Sequence, residues 1–140
     1  MLPHVLTEVC INLMKIKNPN NLCSIGKFKH ELIKDYNAIN NRVFGIGAVR
    51  QKIDIFDEKL IIIAENKRVK SLSYLKSMDS HVGELANHFL IEGLKRELCA
   101  VLTEKYNFEV TAIFKDYDID AELSCTFILM KKNIKEYFNL

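Results

Sequence analysis

Residues 115–122 read KDYDIDAE, and carboxylates at alternate positions are the oxygen donors with which a calcium-binding loop begins. Such a loop places oxygen ligands at positions 1, 3 and 5, a glycine at 6 and a bidentate glutamate at 12. Counted from Asp116, the ligand positions are filled by Asp116, Asp118 and Asp120, but the glycine position holds Ala121 and the glutamate position holds Phe127. The stretch is therefore expected to be a solvated connection between two strands rather than a cation site.

His81, Glu84, His88 and Glu92 recur at intervals of three and four and so share one edge of a helix. Imidazole and carboxylate on successive turns can share a transition metal, which makes His81, Glu84 and His88 weak metal-ligand candidates. Their spacing matches neither H-E-x-x-H nor the E-x-x-H of di-iron bundles, and a polar solvent face is the plainer reading. Cys10, Cys23, Cys99 and Cys125 show no C-x-x-C pairing and follow no secretory signal, so free thiols in a reducing cytoplasm are expected. Cys125, within an alternating strand, reads as a small apolar residue. The glycine cluster FGIG (Phe44–Gly47) precedes a strand and lacks a following Gly-Lys-Ser/Thr, so it is no phosphate loop. No constellation calls for catalysis or a cofactor.

The elements that would position these residues follow from periodicity. Val5, Leu6, Val9, Leu13 and Met14 stripe a helix over about 3–16, which stops at the asparagine-proline turn NPNN. Ser24 suits the N-cap of a second helix over 24–43, whose Ile25, Phe28, Leu32, Tyr36, Ile39 and Val43 form a narrow apolar seam. At Val49 the period becomes two. Val49, Gln51, Ile53 and Ile55 alternate with Arg50, Lys52 and Asp54, and after a polar break LIIIA (60–64) reads as a strand covered on both faces. SLSYLKS (71–77) allows a helical turn or two. A long helix over 80–106 follows, striped by Val82, Leu85, Phe89, Leu94 and Leu98 among others, with Asn107 suited to a left-handed cap. Val110, Ala112 and Phe114, then Leu123, Cys125, Phe127 and Leu129, alternate through a second hairpin.

The hairpins 49–56/60–65 and 109–115/123–130 thus predict a four-stranded, mainly antiparallel sheet with helices mainly on one face. This is an α+β two-layer sandwich in a single domain, 1–140, ending in a basic tail at 131–140 that can add a helical turn. At 140 residues the chain can bury roughly two thirds of its unfolded surface without staples. Its net charge of +2 is too small for a nucleic-acid partner. The charge is uneven, with +5 on residues 1–70 and −3 on 71–140. No run approaches the ~20 apolar residues of a membrane span.

One family pattern fits these residues. The glycine pair of FGIG, the strands IDIFDEKLIII, the helix segment EGLKRELCAVLTEKYNFEV and the last hairpin after D-x-D resemble the MpsC-like family of small bacterial domains. That family is named for a sodium-translocating, membrane-potential-generating system. The resemblance covers about 24–130 and leaves the first helix (4–17) outside. The family's Thr-Pro-Ala-Glu-like opening of the middle helix is replaced here by Val69-Lys70-Ser71-Leu72, and its capping glycine by Asn107. The resemblance implies a cytoplasmic accessory protein of a membrane ion or bicarbonate transport system, peripheral at the inner face of the membrane, and carries over no catalytic residues.

The expectation is a non-enzymatic accessory or regulatory protein acting through protein contacts, with a transport subunit and a second copy as partners. The seam Ile25, Phe28, Leu32, Tyr36 and Ile39 is the expected dimer contact, against ordinary packing on the sheet as the alternative. The rival is a small-ligand or metal-binding sensor using the His81/Glu84/His88 edge.

Overall fold

The computed structural model describes residues 24–138. The helix expected over 3–16, together with Cys10 and Cys23, lies outside them. Helix α1 spans Ile25–Phe44. The Ser24 hydroxyl accepts from the Lys27 amide at 3.1 Å, satisfying one of the donors that a helix start leaves without a partner. Gly45 ends the helix at φ 74°, donating its N–H to Asn41 O, a conformation that costs glycine no Cβ clash. Phe28, Leu32, Tyr36 and Ile39 are fully buried, and Ile25 packs against the same core. The expected dimer contact on this seam is thereby corrected. The stripe covers the chain's own sheet, the alternative drawn from the sequence, and its central side chains are fully buried within the single chain.

Strands β1 (Arg50–Phe56) and β2 (Lys59–Glu65) pair antiparallel through a two-residue connection in which Asp57 takes φ 53°. A helix-rich crossover then leads to β3 (Val110–Asp118), which turns back into β4 (Leu123–Met130). The sheet order is β1-β2-β4-β3, antiparallel throughout, so the crossover carries the chain from an inner strand to the far edge. The α+β sandwich expected from the sequence is therefore the observed fold.

The crossover contains α2 (Lys70–Met78), longer than the helical turn or two expected, and α3 (Ser80–Ala100). Asp79 separates them and caps α3, its Oδ1 accepting from His81 N at 2.9 Å and Val82 N at 3.3 Å. After Ala100 the helix widens into a π-turn, Val101–Lys105, and Asn107 closes it at φ 58°. Lys105 and Tyr106, at the end of this turn, reach α1. Lys105 Nζ lies 2.8 Å from Asp35 and 3.7 Å from Glu31, and the Tyr106 hydroxyl donates to Asp35 Oδ2 at 2.5 Å. Lys105 is only 9% exposed in its side chain.

Leu94, Leu98, Val101 and Leu102 cover the sheet beside α1, against Ile53, Leu60, Ile62, Ala64, Ile128 and Met130. Phe28 stacks edge-on to Tyr106 at 5.0 Å and to Phe138 at 5.4 Å, which ties the terminal 3-10 turn (Ile134–Tyr137) to the start of α1. No helix among the described residues is long and apolar enough to cross a membrane.

Two parts of the apolar pattern do not reach this core. On α3 the stripe splits: Leu94 and Leu98 are buried, whereas Val82, Leu85 and Phe89 are exposed. In the second hairpin β3 carries a register shift between Val110 and Ala112, and β4 alternates without interruption. Ser124, Thr126, Ile128 and Met130 then point to the helices, and the more apolar set, Leu123, Cys125, Phe127 and Leu129, lies on the other face.

Candidate functional site

The backbone of α3 comes close to that of α2 at Gly83, which is buried. A Cβ there would lie 2.7 Å from Lys76 Cα and 2.8 Å from Lys76 N, so only glycine permits the approach. The α2–α3 hairpin so formed, the end of α1, the connection 66–69 and the β3–β4 end of the sheet border a half-open cavity of about 500 Å³. That is within the usual range for a small-molecule site. Phe44, Ile46, Val69, Leu72, Ile91 and Ile119 supply apolar wall.

The polar wall is cationic. Lys67, Arg68, Lys76 and Lys115 line it, against the single carboxylate of Glu84. Arg68 has Asp120 at 3.8 Å, an exposed and therefore weak pairing. Lys115 makes no salt bridge with a described residue. Its ammonium instead donates to the Tyr36 hydroxyl at 2.7 Å and sits 5.3 Å from the Tyr36 ring centre. The same hydroxyl shares a hydrogen bond with Thr126 Oγ1, 2.9 Å away and fully buried. The strand period brings Lys115 here, because Ile113, Lys115 and Tyr117 share the helix-facing side of β3.

Asn40, 1% exposed, stands on the cavity wall from α1. Its Nδ2 donates to Tyr36 O at 2.9 Å, and its Oδ1 accepts no hydrogen bond from a described residue. Asn66 anchors the opposite side. Its carbonyl accepts from the Tyr117 hydroxyl at 2.8 Å and its Oδ1 from Ser124 Oγ at 2.7 Å. Burial raises the Tyr117 pKa above the ordinary tyrosine value, and the negative charges of Glu122 and Asp118 add to this while Arg68 opposes it. Tyr117 therefore stays a neutral donor. The arrangement offers an apolar body space, an anionic end several cations, and a donor the free oxygen of Asn40.

The residues singled out in the sequence fall elsewhere. Asp116 and Asp118 belong to β3, and only Ile119–Glu122 forms the connection, so the strand is longer than the 109–115 expected. Asp116 Oδ1 accepts from Tyr117 N and Asp118 Oδ1 from Ala121 N, as turn-forming aspartates do. His81, Glu84 and His88 are all exposed, and only Glu84 reaches the cavity wall. Among the described residues no group of three or more His, Cys, Asp or Glu is placed to hold a metal ion. Cys99 and Cys125 are unpaired, and Cys125 is exposed rather than packed in the core.

Asn40, Asn66 and Lys115 were not singled out from the sequence. The available signal was a polar residue on a buried face: Asn40 beside Ile39 in the α1 seam, and Lys115 two residues from Ile113. Comparison with protein-family models, with curated proteins and with solved structures gives no match to this chain.

Proposed function

We propose that the protein is a small-ligand-binding regulatory domain whose cavity holds an organic anion with an apolar body. The observation that carries the reading is Lys115, a cation on the wall of an apolar-lined cavity whose hydrogen bond goes to a tyrosine instead of a carboxylate. A cation in that setting attracts an anionic ligand group at short range, where solvent screening is reduced. Asn40 and the Asn66–Tyr117 pair fix orientation, and Phe44, Leu72 and Ile91 supply contact area. This keeps the ligand-sensor alternative drawn from the sequence but moves it from the His81/Glu84/His88 edge to the interior behind it.

Decanoate is a suitable probe, read by displacement of the fluorescent anion 1-anilinonaphthalene-8-sulfonate. Decanoate is expected to bind and decanamide to bind more weakly. Lys115→Met should cost about tenfold in decanoate affinity, the value of one charge-assisted hydrogen bond, and leave decanamide unchanged. Equal affinity for the acid and the amide, or no displacement by either, refutes the reading.

The cytoplasmic accessory role in ion or bicarbonate transport, which the MpsC-like resemblance implies, is compatible with a domain that reports an anion to a transport subunit. Recovery of such a subunit by the immobilised protein from solubilised membranes supports it. Recovery that does not respond to decanoate separates that role from the cavity.

A further inference from the structure

We propose that the open face of the sheet is a homodimer interface, on which a second copy of this chain stacks about a two-fold axis that runs parallel to the strands between β2 and β4. The helix-facing side of the sheet carries the core, with Ile53, Leu60, Ile62 and Ile128, and the open side has an apolar centre of its own, Ile61, Ile63, Phe114, Cys125, Phe127 and Leu129, flanked by charged residues. No described element covers this apolar centre. Phe114 is 57% exposed and Ile63 37%. The run LIIIA already had the composition of a strand buried on both sides, and a covering layer is what that composition requires.

Charge at the margins selects the occupant. The register aligns four residues across the sheet in each rung: Arg50, Glu65, Leu123 and Asp118 in one, Lys52, Ile63, Cys125 and Asp116 in the next, and Asp54, Ile61, Phe127 and Phe114 in the third. A two-fold axis parallel to the strands preserves each rung and exchanges its ends. It places β1 of one copy over β3 of the other and β2 over β4. Arg50 then meets Asp118, Lys52 meets Asp116, Ile63 meets Cys125 and Ile61 meets Phe127 of the second copy. Like charges do not oppose one another in these rungs. Asp54, which meets Phe114, already has Lys52 at 3.6 Å. Such stacking keeps the strands of the two sheets roughly aligned, as in a β-sandwich, and the contact is self-complementary, as a two-fold interface must be.

Four strands about 4.8 Å apart and seven residues long make a face of roughly 19 by 23 Å. Two such faces remove on the order of 1,000 Å² from water, the lower end of specific interfaces, so micromolar self-association is expected. Unlike the ligand reading, this one does not depend on the cavity.

The test is sedimentation velocity of the full chain over a concentration series, with circular dichroism to confirm folding. The wild type should pass from monomer to dimer. Phe114→Glu should stay monomeric, since the side chain is exposed and its loss leaves the core intact. Lys52→Asp and Asp116→Lys should each weaken the dimer by about tenfold, and the double exchange should restore it. Phe89→Ser, on the exposed face of α3, should change nothing. A wild type that is monomeric throughout, as when residues 1–23 of the same chain cover the face, overturns the proposal. So does a dimer abolished by Phe89→Ser but not by Phe114→Glu, or a double exchange that fails to rescue.

Discussion

Two glycines ten residues apart in α3 should respond to alanine with opposite signs. At Gly83 an added Cβ would meet Lys76 Cα at 2.7 Å, Lys76 N at 2.8 Å and Lys76 Cβ at 2.8 Å, and two of these three are backbone atoms that cannot swing away. Ordinary contact would need the helices to part by about 1 Å, and overpacking of this kind costs roughly 1–3 kcal/mol. The strain should fall on α2. That helix is nine residues long and contains no buried residue, and so short a helix is marginal without tertiary contact. Gly83→Ala should therefore loosen α2 and open the cavity wall at Leu72 and Lys76, with a smaller effect on the core. At Gly93 nothing lies within 4 Å of the added Cβ, so alanine should stabilise the helix by about 0.5–1 kcal/mol through propensity alone. Amide hydrogen exchange separates the two effects: in Gly83→Ala the amides of Ser73 and Asp79, bonded to Val69 O and Leu75 O, should exchange faster while those of α1 do not. Urea unfolding gives the sign for Gly93→Ala. Equal signs at the two positions, or unchanged protection in α2, would refute the helix-contact argument.

Lys105→Met leaves Asp35 and Glu31 facing each other with their shared cation gone. Because both carboxylates are about a fifth exposed (20% and 22%), the loss should be about 2–3 kcal/mol rather than the full cost of an unpaired buried charge, measured by urea unfolding. Gln51 Oε1 is buried without a partner, and its Nε2 reaches Asn37 Oδ1 only at 3.5 Å. Gln51→Leu should stabilise by about 1 kcal/mol, seen as a melting temperature higher by about 3 °C. Tyr117 is raised in the folded protein, so the unfolded chain loses the phenolic proton first as the pH climbs. Stability is fully present below the ordinary tyrosine value and declines from there toward the folded pKa. The difference in stability between wild type and Tyr117→Phe should accordingly be constant up to about pH 9 and then change against the wild type. A flat difference to pH 11 would contradict the burial argument.

Local signals fixed the elements. The spacing of three and four from Phe28 to Ile39 identified a helix seam, Ser24 and Gly45 marked its ends, and the change to period two at Val49 located the first hairpin. These signals lie within one turn or one strand of each other, so the chain displays them without knowledge of its partners. The destination of each stripe was less legible. The spacing of the α1 seam suits a dimer contact and packing on the sheet alike, and the seam covers its own sheet. The alternation in 123–129 suggests Cys125 as a small apolar residue, yet Cys125 is exposed and the buried set holds Ser124 and Thr126. Alternation specifies that a strand has two faces, and only the neighbouring layers decide which face is inside.

The cavity depended entirely on tertiary structure. Asn40, Asn66, Glu84 and Lys115 come from α1, the connection after β2, α3 and β3, and no spacing in the chain relates them. What converges them is the crossover from an inner strand to the far edge of the sheet together with the glycine-permitted contact of α2 with α3. The amino-acid sequence alone marked the helices and hairpins among the described residues, because each of those rests on interactions between residues close along the chain, and their order pointed to the sandwich. The folded structure decided which faces were buried, where the cations gathered and which apolar surface was left over, because those are set by the packing of segments far apart in sequence.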